Sequence, residues 1–158
     1  MISPVDLVDN IVAAMQSVED LVTAIGGDAD LIYAYHDRYP SQTSLEKARY
    51  EMKSPSIMVA WMGLMNEGGA DPWKHKISVA LRAPCESEDE SMIGYNGLLK
   101  LIWNGKADPD AADEQPIKYK SIHASCYPME LESFLRQTDA AGIDYFEITV
   151  SFTEIGDE

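Results

Sequence analysis

The sequence predicts an α+β protein: an antiparallel or mixed sheet of about four to five strands with helices packed on one face. Three observations predict it. Apolar residues near the N-terminus recur at helical spacing. Two apolar runs flank a loop of turn formers in mid-chain. Near the C-terminus, apolar and polar residues alternate strictly. At 158 residues, the chain has the length of a single domain with one core.

Ser3-Pro4-Val5-Asp6 opens the first helix. Ser3 is placed to cap, Pro4 suits the first helical position, and Asp6 suits the positive end of the helix dipole. Leu7, Val8, Ile11, Val12, Met15, Val18, Leu21, Val22 and Ile25 then keep one apolar stripe, which predicts one helix, or two broken near Ser17. Gly26-Gly27 ends it. Residues 31–35 (LIYAY) read as a short strand. Residues 36–54 are polar, with a turn of helix around 44–52, and Pro55 leads into a buried strand over 56–64. After the turn residues NEGGADP at 66–72, residues 73–83 alternate. Trp73, His75, Ile77, Val79 and Leu81 share one face, and Lys74, Lys76, Ser78 and Arg82 the other, so a half-buried strand hairpinned to its predecessor is expected.

The acidic run ESEDE at 86–90 gives way to Met92, Tyr95, Leu98, Leu99, Leu101, Ile102 and Trp103 on one helix face, closed by Asn104-Gly105. Residues 106–116 (KADPDAADEQP) form an acidic loop, and residues 117–127 alternate loosely, as a strand does. Residues 129–138 are ambiguous, because Leu131, Phe134 and Leu135 have helical spacing in a short segment before the turn at 139–142. In the closing strand Phe146, Ile148, Val150 and Phe152 alternate with Tyr145, Glu147, Thr149, Ser151 and Thr153, and that apolar set is expected to face the helices.

Charge narrows the possible functions. Against 12 basic residues stand 27 acidic ones, a net of −15. Such a surface repels phosphate backbones and anionic leaflets, so neither nucleic-acid nor membrane binding has electrostatic support. Asp6 and Asp9 stand where a secretory signal carries positive charge, and the longest apolar stretch, residues 57–65, is too short to span a bilayer. Cys85 and Cys126 belong to no motif and fit a reducing interior.

No nucleophile elbow, zinc-protease helix, phosphate loop or dinucleotide fingerprint occurs. His36, His75 and His123 sit in separate segments without a ligand at i+2, i+3 or i+4, so ordinary surface or core histidines are expected. Asp108, Asp110, Asp113 and Glu114 have calcium-like oxygen density. They lack the glycine and distal glutamate of an EF-hand loop, which leaves a solvated acidic loop. Trp61, Trp73 and Trp103 lie in apolar runs and read as core. No catalytic residue, metal site or cofactor is expected.

This layout resembles the tail terminator (tail-completion, or minor tail) proteins of long-tailed bacteriophages. The features that carry the likeness are the N-terminal amphipathic helix, LIYAY at 31–35 just after AIGG at 24–27, and PSIMVAW at 55–61. The strand at 73–83, the helix at 95–103 and the closing DYFEITVSF at 144–152 complete it. The likeness covers nearly the whole chain and lies in element order, not in chemical signatures. It implies a non-enzymatic virion protein of the tail or neck, assembled in the host bacterial cytoplasm. Six copies form a ring that caps the tail tube, stops its polymerisation and offers the head-tail joining surface. The implied partners are other copies of the chain, the tail tube protein and a head-completion or connector protein. DNA passes through the lumen without being bound specifically, and no membrane is involved. Glu86, Glu88, Asp89 and Glu90, with Asp108, Asp110, Asp113 and Glu114, are then candidate lumen or docking loops. The rival expectations are another neck or head-closure connector, or a small α+β ligand-binding domain or enzyme with a composite site.

Overall fold

In the computed structural model, residues 2–36, 42–53, 55–66, 73–82, 122–127, 129–138 and 144–155 are described. Helix α1 (Pro4–Gln16) begins with Pro4 in its first turn and Asp6 at its positive end. Ser3 occupies the cap position but its side chain makes no capping bond, contrary to expectation. The helix breaks where the alternative of two helices put the break: Val18 turns extended, and α2 (Glu19–Ala24) follows. The kink keeps Met15, Val18, Leu21 and Ile25 all in the core. Gly26 and Gly27 then close α2 by a Schellman arrangement. Gly27 N–H reaches Val22 O at 2.8 Å and Gly26 N–H reaches Thr23 O at 3.2 Å. Gly26 sits at φ +115°, a conformation that side-chain-bearing residues rarely adopt.

A single turn of 3₁₀ helix (Ala29–Leu31) leads into β1 (Ile32–Tyr35), so Leu31 lies just outside the strand predicted from it. Helix α3 (Gln42–Tyr50) follows, then β2 (Ser56–Met65), β3 (Lys74–Arg82), β4 (Glu130–Thr138) and β5 (Asp144–Thr153). The five strands form one mixed sheet in the order β1-β2-β3-β5-β4. β1 runs parallel to β2 and the other pairs are antiparallel. A parallel neighbour requires a crossover, and α3 lies within it. The α+β architecture with a mixed sheet of about this size is therefore as expected.

The first face of the sheet carries Ile57 and Val59 of β2, Ile77, Val79 and Leu81 of β3, and Ile148, Val150 and Phe152 of β5. These pack with Leu7, Val8, Ile11 and Met15 of α1 and with Leu21. The alternation in the closing strand assigned this face correctly, as far as α1 and α2 are concerned. The helix expected at 92–103, with Trp103, lies outside the described residues.

Four expectations need correction, and one left open is settled. The helices do not all share one face: Leu45 of α3 packs with Met52, Met58, Ala60 and Ala80 on the opposite side. As a result β3 is not half-buried, since Ser78, Ala80 and Arg82 on its second face are as covered as Ile77 and Val79 on its first. Trp73, read as core, is 39 % exposed just ahead of β3, whereas Trp61 does pack against the core. Of the strand expected over 117–127, the described residues 122–127 form a turn with a single bridge, Cys126 to Glu154. The ambiguous segment at 129–138 is the strand β4.

Candidate functional site

The eight acidic residues proposed as lumen or docking groups, Glu86, Glu88, Asp89, Glu90, Asp108, Asp110, Asp113 and Glu114, lie outside the described residues, as does Cys85. What the structure does bring together is a set of polar networks and one apolar edge, which sequence reading did not single out.

The first network is built around His75. Its side chain is fully buried on the first face, where β3 passes between β2 and β5. Trp61 Nε1 lies 3.2 Å from His75 Nδ1, and Glu154 Oε1 lies 2.8 Å from His75 Nε2. An indole N–H can only donate, so Nδ1 accepts and the ring proton sits on Nε2, facing Glu154. The same Glu154 oxygen accepts Ile2 N–H at 2.8 Å. One carboxylate therefore joins the start of α1, the middle of the sheet and the end of β5. Burial pushes the Glu154 carboxyl up, but the hydrogen bonds from His75 and Ile2 outweigh it and hold the group below its ordinary range. Beside it, burial and then the Glu154 charge push the Cys126 thiol up to about 11, so this free cysteine is a poor nucleophile. Both ring nitrogens of His75 are engaged and no face of it meets solvent, so the histidine is spent on structure.

The other two histidines bond locally. His36, at the end of β1, pairs with Asp9 of α1 at 2.7 Å, and His123 Nδ1 accepts Ser125 N–H at 3.1 Å. Among the described residues, no group of three or more His, Cys, Asp or Glu side chains is placed to hold a metal ion.

The second network lies under α3. Arg49 reaches across the second face, pairs with Glu147 of β5 and donates to Ser78 Oγ at 3.0 Å. Arg82 donates to Tyr50 O at 3.3 Å and so ties the end of β3 to the end of α3. These contacts explain how a polar strand face becomes buried: two arginines bring their charge in with hydrogen-bonding partners.

The third network sits at the β4 side of the sheet. A bulge between Leu131 and Ser133 leaves Glu132 as the extra residue. Its carboxylate lies 2.8 Å from Lys74 Nζ and accepts Ser151 Oγ–H at 2.7 Å, and these two partners hold its carboxyl below the ordinary range.

The two outer edges of the sheet differ. At β1 the edge has only four residues, and the Gln16 amide of α1 occupies Ala29 O and Ile32 O, both at 2.9 Å. At β4 the edge has nine residues, and no described strand lies beyond it. Leu131 and Leu135 are 42 % and 52 % exposed there, with Tyr127 and Ile155 also exposed nearby. A long edge with open apolar side chains is a surface that proteins ordinarily cover or pair.

No protein-family model matches the chain, and no curated protein does. Among the described residues, no helix is long and apolar enough to cross a membrane.

Proposed function

We propose that the chain is a structural subunit of a virus particle, a tail terminator that caps the tail tube as a ring, and that it has no catalytic role. The observation that carries this reading is the β4 edge. A closed ring needs a heterologous contact, in which one surface of a subunit meets a different surface of its neighbour. A nine-residue edge with exposed leucines supports such a contact. The layout of the α+β elements supports the resemblance to terminators, and the net charge of −15 suits a ring through which DNA slides without sticking.

Deleting the gene from its phage tests the reading. Loss of a terminator leaves filled heads beside unattached tails, many longer than normal in electron micrographs, because nothing stops tube polymerisation. Tails of normal length with heads that leak DNA would reject the terminator reading in favour of a head-closure protein.

A further inference from the structure

We infer that the two β-bulges of this sheet are guards on its open edges, and that the bulge at Glu132 keeps β4 from accepting a further strand from a second copy. The inference concerns the subunit before assembly and goes beyond the ring reading.

The placement of the bulges carries it. An outer strand turns unpaired N–H and C=O groups outward, and a long, flat one is a template for another chain. Two stretches of the described sheet are of this kind. One is β4, nine residues long with no described strand beyond it. The other is residues 61–65 of β2, because β1 pairs with that strand only from Ile57 to Ala60. Each stretch contains a bulge. β4 shifts against β5 between Leu131 and Ser133, and β2 shifts against β3 between Trp61 and Gly63. β3 and β5, which have neighbours on both sides, pair with each other from Lys74–Thr153 to Leu81–Phe146 without a shift. A bulge bends and twists its strand, so the outward groups lose the even spacing that a new strand needs.

Glu132 is also held in place. Its carboxylate lies 2.8 Å from Lys74 Nζ of β3 and accepts Ser151 Oγ–H of β5 at 2.7 Å, so two inner strands anchor the extra residue. At the other bulge Met62 is the extra residue, 46 % exposed, and Gly63 takes φ +148°, a value that residues with a Cβ rarely adopt. Core packing does not require the β4 bulge. Leu131 stands opposite Val150 and Ser133 opposite Thr149. Without residue 132 the same pairs continue the ladder, and every neighbour keeps its face. The extra residue therefore serves the shape of the edge. Leu131 and Leu135 stay exposed beside it, so the bulge bars strand addition without covering the surface on which the ring reading relies.

Deletion of Glu132 tests this, with Glu132→Gln as the control for lost charge. Thermal melts show whether each variant folds, and sedimentation equilibrium follows self-association up to about 1 mM. The shortened protein is expected to fold and to self-associate at a concentration at least about tenfold lower than the parent does. New protection from amide hydrogen exchange is expected along β4. Glu132→Gln keeps the extra residue and is expected to stay within about twofold of the parent. Adding Leu135→Lys to the shortened protein should return association to the parent's level, because a lysine on an edge strand blocks pairing. Association no stronger than the parent's would overturn the inference, as would failure of Leu135→Lys to lower it. A shortened protein that does not fold would also overturn it, since residue 132 would then serve the core. Equal association of Glu132→Gln and the shortened protein would assign the guard to charge alone and reject the bulge. The ring reading is judged separately, by tail length in phage lacking the gene.

Discussion

Glu154 shows how one side chain organises a region of this fold. Its carboxylate receives Ile2 N–H and the His75 ring N–H, and the ring is oriented in turn by Trp61. Hydrogen bonds to a charged acceptor contribute about 1.5–3 kcal/mol each where solvent is excluded. The folded carboxyl titrates below the ordinary glutamate value of 4.5. A group with a depressed folded value adds stability that is present above the unfolded value and lost as pH falls through the folded one. The Glu154 contribution is therefore complete above pH 4.5 and declines below it. Glu154→Gln removes the titration and is expected to lower stability at neutral pH while flattening its fall in acid. Urea midpoints measured across that range check this, and parallel acid limbs in variant and parent would show that the pair carries no linkage. Cys126 and the half-exposed His36–Asp9 pair add nothing comparable, since neither sits in so closed a site.

At the scale of elements, legibility followed burial pattern. β5 was readable because its first face is apolar and its second polar throughout, so the alternation shows in the sequence: Ile148 and Val150 are buried against α1, while Thr149 lies on the other side in register with Ser78 and Ser133. This sets a direct test. Ile148→Asp loses about 1.5–3 kcal/mol of burial and places a carboxylate in the core, so it is expected to unfold the protein. Thr149→Asp is expected to melt close to the parent. Equal melting temperatures would reject the assigned face. β4 was not readable for a physical reason. The bulge at Glu132 shifts the alternation by one residue, so positions 131 and 134 share a face and 135 takes the other, and the i, i+3, i+4 pattern imitates a helix. The second face of β3 misled in the opposite way. Lys74, Lys76, Ser78 and Arg82 read as solvent-facing, yet Arg49 and the backbone of α3 supply partners that let Ser78 and Arg82 be buried. Nothing local to β3 records that cover, because it arrives from α3. The candidate assembly surface was invisible for the same kind of reason: Leu131, Leu135 and Tyr127 look like any core residues until the strand order puts β4 outermost.

At the scale of the whole molecule, charge is the property with the widest reach. Each copy carries −15, and the exposed bases with described side chains, Lys47 and Lys53, lie close together at the end of α3. Affinity for duplex DNA grows with the number of phosphates neutralised, and its logarithm falls with that of salt at a slope of about −0.9 per phosphate. With 27 acidic residues against 12 basic ones, the long-range field of the surface opposes approach to a phosphate backbone. Binding is thus expected to be weaker than the ~10⁻⁴ M that marks the feeble end of non-specific association at physiological salt. A gel-shift titration of duplex DNA at moderate salt should show no retained band. A tight complex that dissolves as salt rises would contradict the electrostatic argument directly. It would also remove the physical ground for a lumen through which DNA slides freely, because a basic surface would then have to line its path.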